Sequence, residues 1–346
     1  MTRLAGAPRP PRDRVTEIVA TGFAYPHMIV DNAEFFARCR FPISDDHAAL
    51  VADTRMVCRT WCGPGENTWT MAREAIDRAL GALGAGPVAR DDIDLVVVSS
   101  CSTIPMVNYP DPANPVVADL APLVLAELGR DDAIGIDLKA TYCAGFLRGL
   151  ELVDAMLDNP DYRAALLVAT DQGGRFATAE TNRSAFCFIV GDAAGAVVLR
   201  KRPAAPRTGV VDSLGATVVS KADLTSWGPD GRSLFVRGSR TGLAGLELML
   251  DAGRRLMARN RLTPHDIDWL VPAQTHIGML EALCDGLELP REKLVWSGDV
   301  TGYAASASIA ATLGARRADR TLARGDLVMS LAAGAGMNVA GALYYC

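Results

Sequence analysis

The sequence predicts an α/β protein built from two similar halves. Short apolar runs alternate along the chain with longer segments in which apolar residues recur at helical spacing, a pattern typical of sheets covered by helices. An internal repeat supports this class, because RDDIDLVV at 90–97 is echoed by PHDIDWLV at 264–271. An amphipathic helix is predicted before each copy, over 70–83 and over 243–257. Chance similarity of two short acidic segments is the alternative, but the flanking helices favour a repeat.

Each half is predicted to end in a strand pair rich in glycine and alanine. These strands lie at 188–199 in the first half, and at 327–337 and 341–345 in the second. The alternation of strands with helices predicts mostly parallel sheets with helices on their faces. The stretch 203–207, which contains two prolines, is the expected boundary between the halves. Two sheets around shared central helices then form one body, with the reactive loops of both halves near its middle.

Composition argues against several classes of protein. Hydrophobic residues make up 49% of the chain and charged residues 22%, and no apolar run reaches the roughly 18 residues of a membrane helix. The formal net charge of -5, without a cluster of Lys and Arg, argues against nucleic-acid binding. Residues 1–13 are rich in proline and arginine, and no apolar segment follows them. We therefore expect a disordered leader, no signal peptide and a cytoplasmic protein.

The spacing of the cysteines predicts that they are reduced thiols and that they form no metal site. All eight are scattered along the chain without the paired spacing of a zinc site, which favours reduced thiols over a disulfide framework. Cys58 and Cys62 are the one close pair, and ordinary core or surface thiols explain them better than a metal does. We expect no metal and no tightly bound cofactor.

One cysteine has the context of a nucleophile. Cys143 lies between a strand-like run at 134–138 and a segment with helical spacing that starts at Phe146. A thiol at the start of a helix faces backbone N–H groups and the positive end of the helix dipole, and both favour the thiolate. The alternative is a buried, inert thiol, since free cysteine is among the most buried residue types.

Three motifs follow one another around and beyond this cysteine. They are ATYCAGF at 140–146, VGDAAGA at 190–196 and AGAGM at 333–337. Together they resemble the nucleophile loop, a structural strand turn and the C-terminal glycine loop of the β-ketoacyl-acyl-carrier-protein synthase III family of the thiolase superfamily. The resemblance extends over nearly the whole chain, from residue 15 to residue 346.

The resemblance implies a fold and a set of roles. The fold is the thiolase fold, a layered αβαβα body, with one half at 14–201 that carries the nucleophile and a second half at 208–346. Cys143 takes the role of the cysteine that accepts the acyl group. Its backbone N–H and that of Ala335 form the oxyanion hole.

The resemblance also implies substrates and partners. The acyl donor is a thioester of coenzyme A or of an acyl carrier protein. Arg55 and Arg59 lie in the segment that contacts coenzyme A in the family and are candidates for phosphate binding, with a solvated basic face as the alternative. A homodimer is expected, and the proline-rich loop at 106–115 lies where family dimers line the partner's acyl pocket.

Two positions depart from the family pattern. The histidine of the family's His-Gln-Ala-Asn segment is replaced by Ala273, and the asparagine of its Gly-Asn motif is replaced by Tyr303. In the family, these two groups hold the malonyl thioester oxygen while an enolate develops. Because one lost oxyanion donor typically costs about 10²–10³ in rate, we expect decarboxylation to be largely lost and acylation of Cys143 to persist. Ala273 and Tyr303 are then expected to line the substrate tunnel.

His276 is the one histidine of four near a catalytic motif, three residues after Ala273. It is a candidate base that deprotonates an incoming hydroxyl or amine. The alternatives are a tunnel-lining histidine that bonds the pantetheine arm and a purely packed residue.

The sequence therefore predicts an acyltransferase of the synthase III type. It loads an acyl group from coenzyme A or a carrier protein onto Cys143 and passes it to a small nucleophile that is not malonyl, as in specialised metabolism. The first alternative is a true β-ketoacyl synthase that forms a carbon–carbon bond. The second is a non-catalytic subunit of a heterodimeric synthase, which the retained Cys143 argues against.

Overall fold

A computed structural model describes residues 12–39, 43–84, 86–101, 119–139, 141–174, 185–227 and 234–346. The predicted loop at 106–115 lies outside the described residues, as does the predicted leader apart from its last two positions. No helix within the described ranges is both long and apolar enough to cross a membrane.

The described chain contains strands and α-helices that we number in chain order. The strands are β1 (Arg14–Ala24), β2 (Met28–Asp31), β3 (Cys58–Trp61), β4 (Ile93–Ser99), β5 (Ile134–Leu138), β6 (Ala164–Gln172), β7 (Asp192–Pro203), β8 (Val210–Thr217), β9 (Thr225–Trp227), β10 (Leu234–Val236), β11 (Trp269–Leu270), β12 (Leu327–Gly334) and β13 (Asn338–Tyr345). The helices are α1 (Asn32–Arg38), α2 (His47–Thr54), α3 (Thr68–Gly81), α4 (Leu120–Leu128), α5 (Gly145–Met156), α6 (Gly238–Asn260), α7 (Ile277–Gly286), α8 (Gly298–Thr301) and α9 (Ala307–Ala318).

Two sheets form the framework. The first has the strand order β1-β7-β6-β4-β5, and the second has the order β11-β12-β13-β8. The short pairs β2-β3 and β9-β10 lie outside them.

The prediction of mostly parallel sheets is wrong. Strands β5 and β6 run parallel to β4, but β7 runs antiparallel to both β1 and β6. In the second sheet β11 is parallel to β12, and the other two pairs are antiparallel. A short turn joins β12 to β13, and such a connection can only make an antiparallel pair. The predicted strand at 188–199 also starts late, because Phe188 and Ile189 belong to a 3₁₀ helix and β7 begins at Asp192.

The internal repeat is confirmed as a structural repeat. Helix α3 precedes a 3₁₀ turn, Arg90–Asp92, and strand β4; helix α6 precedes the matching turn, Pro264–Asp266, and strand β11. The carboxylates of Asp92 and Asp266 each accept a bond from the backbone N–H three residues earlier, at 2.8 and 2.7 Å. The repeated acidic residues thus hold the same turn in each half.

The predicted layered αβαβα body is present. Helix α5 contacts β4 and β6 on one side and β8, β12 and β13 on the other, and α9 packs beside it on β1, β6 and β7. Helices α3 and α4 cover the outer face of the first sheet, and α6 covers that of the second. Contact between α9 and β7 requires a glycine, since a Cβ at Gly195 would lie 2.3 Å from the carbonyl carbon of Ala310. All nine residues of β6 are buried as a result of this double cover.

Candidate active site

The backbone at Cys143 forms a sharp strand-to-helix turn. After β5 the chain enters a 3₁₀ turn, Tyr142–Ala144, that runs directly into α5. Tyr142 has a φ of 45°, in the left-handed region that non-glycine residues enter at a cost of about 1–3 kcal/mol. The predicted position of Cys143 at a helix start is confirmed.

The glycine loop between β12 and β13 lies against this turn. A Cβ at Gly334 would come within 2.8 Å of the backbone nitrogen of Cys143 and 2.9 Å of the carbonyl oxygen of Thr141. The absence of a side chain at Gly334 therefore allows the two loops to approach each other. Ala335 follows in the same loop, where its carbonyl accepts a bond from the Asn338 side chain at 2.6 Å. The oxyanion role of the Ala335 N–H stays a prediction.

A second close approach brings the end of β4 to the same place. A Cβ at Gly145 would lie 1.9 Å from the Ser99 hydroxyl oxygen and 3.2 Å from the Ser306 Cβ. The carboxyl end of β4 and the start of α9 therefore meet at the first residue of α5. Cys101, two residues beyond Ser99, lies on the same side of the molecule as Cys143.

The side chains around Cys143 form a cluster of two thiols and a phenol. The Cys101 thiol and the Tyr303 hydroxyl both donate hydrogen bonds to the Cys143 sulfur, and these bonds lower the pKa of Cys143 against the opposing effect of burial. The bond to Cys143 and burial raise the pKa of Cys101 well above its usual value. Burial and the Cys143 charge likewise raise the pKa of Tyr303. Cys143 is therefore the most acidic group of the cluster, and the other two are its proton donors.

A buried carboxylate holds this cluster in place. Asp171, which is 1% exposed, accepts bonds from the backbone N–H of Cys101 at 2.6 Å and that of Ser306 at 2.8 Å. It also accepts bonds from the hydroxyls of Ser306 and Ser100. Its negative charge raises the pKa of both thiols and so limits the stabilisation of the thiolate. Asp171 thus joins the end of β4 to the start of α9.

Sequence reasoning missed Cys101 and Asp171, although a signal for both was present. Cys101 follows the end of β4, Asp171 lies at the end of β6, and Cys143 follows the end of β5. These three strands are parallel neighbours in the order β6-β4-β5. Because the carboxyl ends of parallel strands share one edge of a sheet, polar residues at those ends converge there.

Both departures from the family pattern are buried in the same apolar core. Ala273 is 1% exposed and Tyr303 is 3% exposed, and both belong to the apolar core against which Cys143 packs. The backbone of Tyr303 is bonded to Ile189 at 2.7 Å and to Gly191 at 3.0 Å. Tyr303 was expected to line a tunnel, and in the structure its hydroxyl bonds to the Cys143 sulfur.

His276 lies at the start of α7 and both of its ring nitrogens have partners. Its Nδ1 accepts the backbone N–H of Gly278 at 3.1 Å, which makes it the N-cap of the helix. Its Nε2 lies 2.8 Å from the carboxylate of Asp53 and donates to it. The strongest influences on the pKa of Cys143 are Cys101, Tyr303 and Asp171, and not His276. To act as a base, His276 must first lose one of these two hydrogen bonds. Its role as the base stays a prediction.

The expectation that Arg59 meets phosphate is wrong. Arg59 is 0% exposed and lies between the rings of Phe35 and Phe188, at 4.7 and 4.6 Å from their centroids. It donates to the carbonyls of Val30 and Phe188, and burial lowers its pKa to about 10. Three of the four residues of β3, Arg59 among them, are buried. Arg55 is exposed and forms an ion pair with Glu281 at 2.7 Å.

The segment VGDAAGA is structural, as the resemblance implies. The carboxylate of Asp192 accepts the backbone N–H groups of Gly174 at 2.6 Å and Cys62 at 2.7 Å. Burial raises the pKa of Asp192 to about 6. Asp192 thus fastens β7 to two neighbouring segments.

Comparison with known proteins agrees with this geometry. The family model described as 3-oxoacyl-[acyl-carrier-protein] synthase III matches residues 136–220, and the model of its C-terminal region matches residues 257–346. The β-ketoacyl-[acyl-carrier-protein] synthase III of Sphingopyxis alaskensis is 31% identical over 333 residues, which are 92% of this chain and 95% of that protein. The corresponding protein of Rhizorhabdus wittichii is 30% identical, covering 93% and 96%.

Solved structures show the same relationship. The synthase III of Thermus thermophilus matches with a TM-score of 0.80 and 26% identity, covering 95% of this chain and 99% of that one. The priming β-ketosynthase of a polyketide biosynthetic pathway matches with a TM-score of 0.81 and 26% identity, covering 97% and 98%. With its thiolase fold and its nucleophile loop, this chain belongs to the 3-oxoacyl-[acyl-carrier-protein] synthase III family.

Proposed function

We propose that this protein is an acyltransferase that carries an acyl group on Cys143 from a thioester donor to a nucleophile other than malonyl. The donor is an acyl derivative of coenzyme A or of an acyl carrier protein. The observation that carries the proposal is the Cys143 sulfur at the start of a helix, with two side-chain donors in Cys101 and Tyr303 that lower its pKa. That arrangement supports acyl loading of Cys143. Ala273 provides no hydrogen-bond donor for a developing enolate.

The acylation step follows from these contacts. The Cys143 sulfur attacks the thioester carbonyl, and the backbone N–H groups of Cys143 and Ala335 receive the oxyanion. The carbonyl re-forms as the donor thiolate leaves and takes a proton from water. The acylated sulfur is then neutral, so Cys101 and Tyr303 no longer stabilise a charge on it. Transfer to the acceptor restores the thiolate and its two bonds.

A carbon–carbon bond-forming synthase is the second candidate. It is favoured by the names of the relatives, which are β-ketoacyl synthases at 30–31% identity. Such a reaction would need donors for the enolate from groups other than the family's histidine and asparagine. A non-catalytic subunit is a weaker candidate, because it has no need of a perturbed thiol.

The three candidates separate in one experiment. The protein is incubated with a panel of acyl-coenzyme A and acyl-carrier-protein thioesters, and its intact mass reports acylation of Cys143. The acylated protein is then offered an alcohol, an amine or a malonyl thioester. We expect the acyl mass to be lost to an alcohol or amine. Loss to malonyl would support the synthase, and failure to acylate with any donor would support the subunit.

Replacement of Tyr303 by phenylalanine should move the pH dependence of acylation upward. The variant lacks one donor to the thiolate, so the pKa of Cys143 rises and less thiolate is present at neutral pH. A hydrogen bond to a charged group contributes about 1.5–3 kcal/mol, so the rise of the acylation rate with pH should move to clearly higher pH. The measurement is the acylation rate between pH 5 and pH 10.

Tyr344→Phe is the matched control for this variant. Tyr344 is also a buried tyrosine, and its hydroxyl bonds to Ser330 at 2.8 Å instead of to the cluster. The control should keep the wild-type profile. An unchanged profile in Tyr303→Phe would mean that its hydroxyl does not bond to the nucleophile in solution.

His276→Asn separates the two roles of that residue. Asparagine retains an acceptor for the helix cap but has no basic nitrogen that can take a proton from an acceptor. Because both ring nitrogens are already bonded, we expect acylation and transfer to stay within about threefold of wild type. A transfer rate lower by about 10², with acylation intact, would instead identify His276 as the base for the acceptor.

We also propose a homodimer formed through the edge of the first sheet. Strand β5 is the edge strand, and Ile134 at its start is 41% exposed. An exposed edge of this kind is a template for pairing with a second copy. Light scattering at micromolar concentration tests this, and a monodisperse monomer would contradict it.

A further inference from the structure

Two cysteine sulfurs in contact at the active site are an arrangement that acyl transfer by itself does not need. The Cys101 thiol donates directly to the Cys143 sulfur. Neither residue forms a disulfide in this structure. Two sulfurs close enough to share a hydrogen bond can form an S–S bond of about 2 Å after side-chain rotation.

The backbone on both sides of this pair is held in place. Ser99 and Gly145 approach each other closely, and each lies two residues from one of the cysteines. The backbone N–H of Cys101 is fixed by the buried carboxylate of Asp171 at 2.6 Å. The backbone of Cys143 is packed against Gly334. The two sulfurs are therefore neighbours because the fold positions them, and not because of a flexible loop.

Four of the six other cysteines provide a contrast. Burial raises the pKa of Cys39, Cys58, Cys284 and Cys346. Those thiols are poor nucleophiles at neutral pH, since only the thiolate reacts. Cys143 combines a lowered pKa with a half-buried position and a second thiol in contact. That combination is the usual description of a redox-sensitive cysteine with a resolving partner.

We propose that Cys101 and Cys143 form a reversible disulfide when a hydroperoxide reaches the active site, with Cys101 as the resolving cysteine. The Cys143 thiolate attacks the distal peroxide oxygen, the O–O bond breaks, and the products are a sulfenic acid and, after protonation, water or an alcohol. Oxidation makes Cys143 neutral and removes the charge that raised the pKa of Cys101. The Cys101 thiol then gives its proton to the leaving hydroxyl as its sulfur attacks the sulfenic sulfur, so that the S–O bond breaks, an S–S bond forms and water leaves. Two thiols lose two electrons in total, and the peroxide gains them.

The consequence for the enzyme is a blocked nucleophile that a dithiol can restore. A sulfenic acid that meets no second thiol is oxidised further to sulfinic acid, which dithiols do not reduce. Cys101 therefore protects Cys143 from irreversible loss. Disulfide formation depends only on the two sulfurs, whereas the resulting loss of acyl transfer rests on the proposed function.

The test is peptide mapping of the full-length protein after exposure to hydrogen peroxide. Wild type is treated with a small excess of peroxide, alkylated and digested without reductant. We expect a cross-linked pair of peptides that contain Cys101 and Cys143, and we expect dithiothreitol to remove it. Cys101→Ser should give no such pair, and its Cys143 should gain two oxygen atoms, about 32 Da. Cys101→Ala, checked for thermal stability beside it, should behave in the same way.

Cys58→Ser is the matched control. Cys58 is another half-buried thiol, bonded to the carbonyl of Val300 at 3.3 Å and away from the cluster. This variant should form the cross-link as wild type does. Oxidation of wild-type Cys143 to sulfinic acid without a cross-link would overturn the proposal, and so would equal sulfinic acid formation in wild type and Cys101→Ser.

The outcome is independent of the proposed function. A protein that forms the disulfide but accepts no acyl group refutes the acyltransferase proposal and supports this one. A protein that accepts acyl groups on Cys143 but forms no cross-link refutes this inference alone.

Discussion

Cys143→Ala should remove acyl loading completely. The variant lacks the sulfur that attacks the thioester, and Cys101 cannot replace it, because its pKa is raised well above the usual value. We expect the acylation rate to fall by about 10⁴-fold or more, the scale seen when a catalytic nucleophile is removed. Intact mass after incubation with acyl thioesters measures this, and peptide mapping of wild type identifies the modified residue.

The control for this variant is Cys58→Ala. It removes a thiol of similar exposure whose pKa is raised by burial. Its acylation should match wild type. Equal mass gain by wild type and Cys143→Ala would show that the nucleophile is another residue.

Malonyl thioesters should lose carbon dioxide only at the background rate in the presence of this protein. Ala273 has no polar side-chain atom, and the phenol of Tyr303, longer than the amide of the family's asparagine, extends to the Cys143 sulfur and not to the position of that amide. A developing enolate therefore lacks both side-chain donors, each of which is typically worth about 10²–10³ in rate. Release of labelled carbon dioxide from malonyl thioesters measures the rate. Rapid release by wild type would favour the carbon–carbon bond-forming synthase.

Restoring the two donors should restore part of this activity. The combined change Ala273→His and Tyr303→Asn places a histidine and an asparagine on backbone that is already fixed, at 2.9 Å between Ala273 N and Leu331 O and 2.7 Å between Tyr303 N and Ile189 O. We expect measurable release of carbon dioxide from the double variant and less from either single variant.

The double variant also carries a packing cost. A histidine at the buried position 273 overfills the core, at an expected cost of about 1–3 kcal/mol. The midpoint of thermal unfolding should therefore be recorded for each variant. A folded double variant without decarboxylation would mean that the pocket differs from the family at further positions.

Much of the site was predictable from sequence because its determinants are local. The turn at Cys143 follows from an apolar strand, a short polar segment and a helix within about twenty residues. The replacements at Ala273 and Tyr303 were visible within short motifs of a known family. The relative direction of the strands was less predictable. Alternation of strands with helices is typical of parallel sheets, but β7 pairs antiparallel with both β1 and β6.

The sequence by itself determined the class, the family, the internal repeat and the position of Cys143 at a helix start, because each of these depends on contiguous residues. Only the tertiary structure shows that Cys101 and Tyr303 donate hydrogen bonds to the Cys143 sulfur. It also shows that Arg59 is buried in the core and that His276 bonds to Asp53. These contacts join residues that are distant in the chain. They depend on the strand order β6-β4-β5 and on the packing of α9 against α5, and such non-local packing is set by the whole hydrophobic core and not by any one segment.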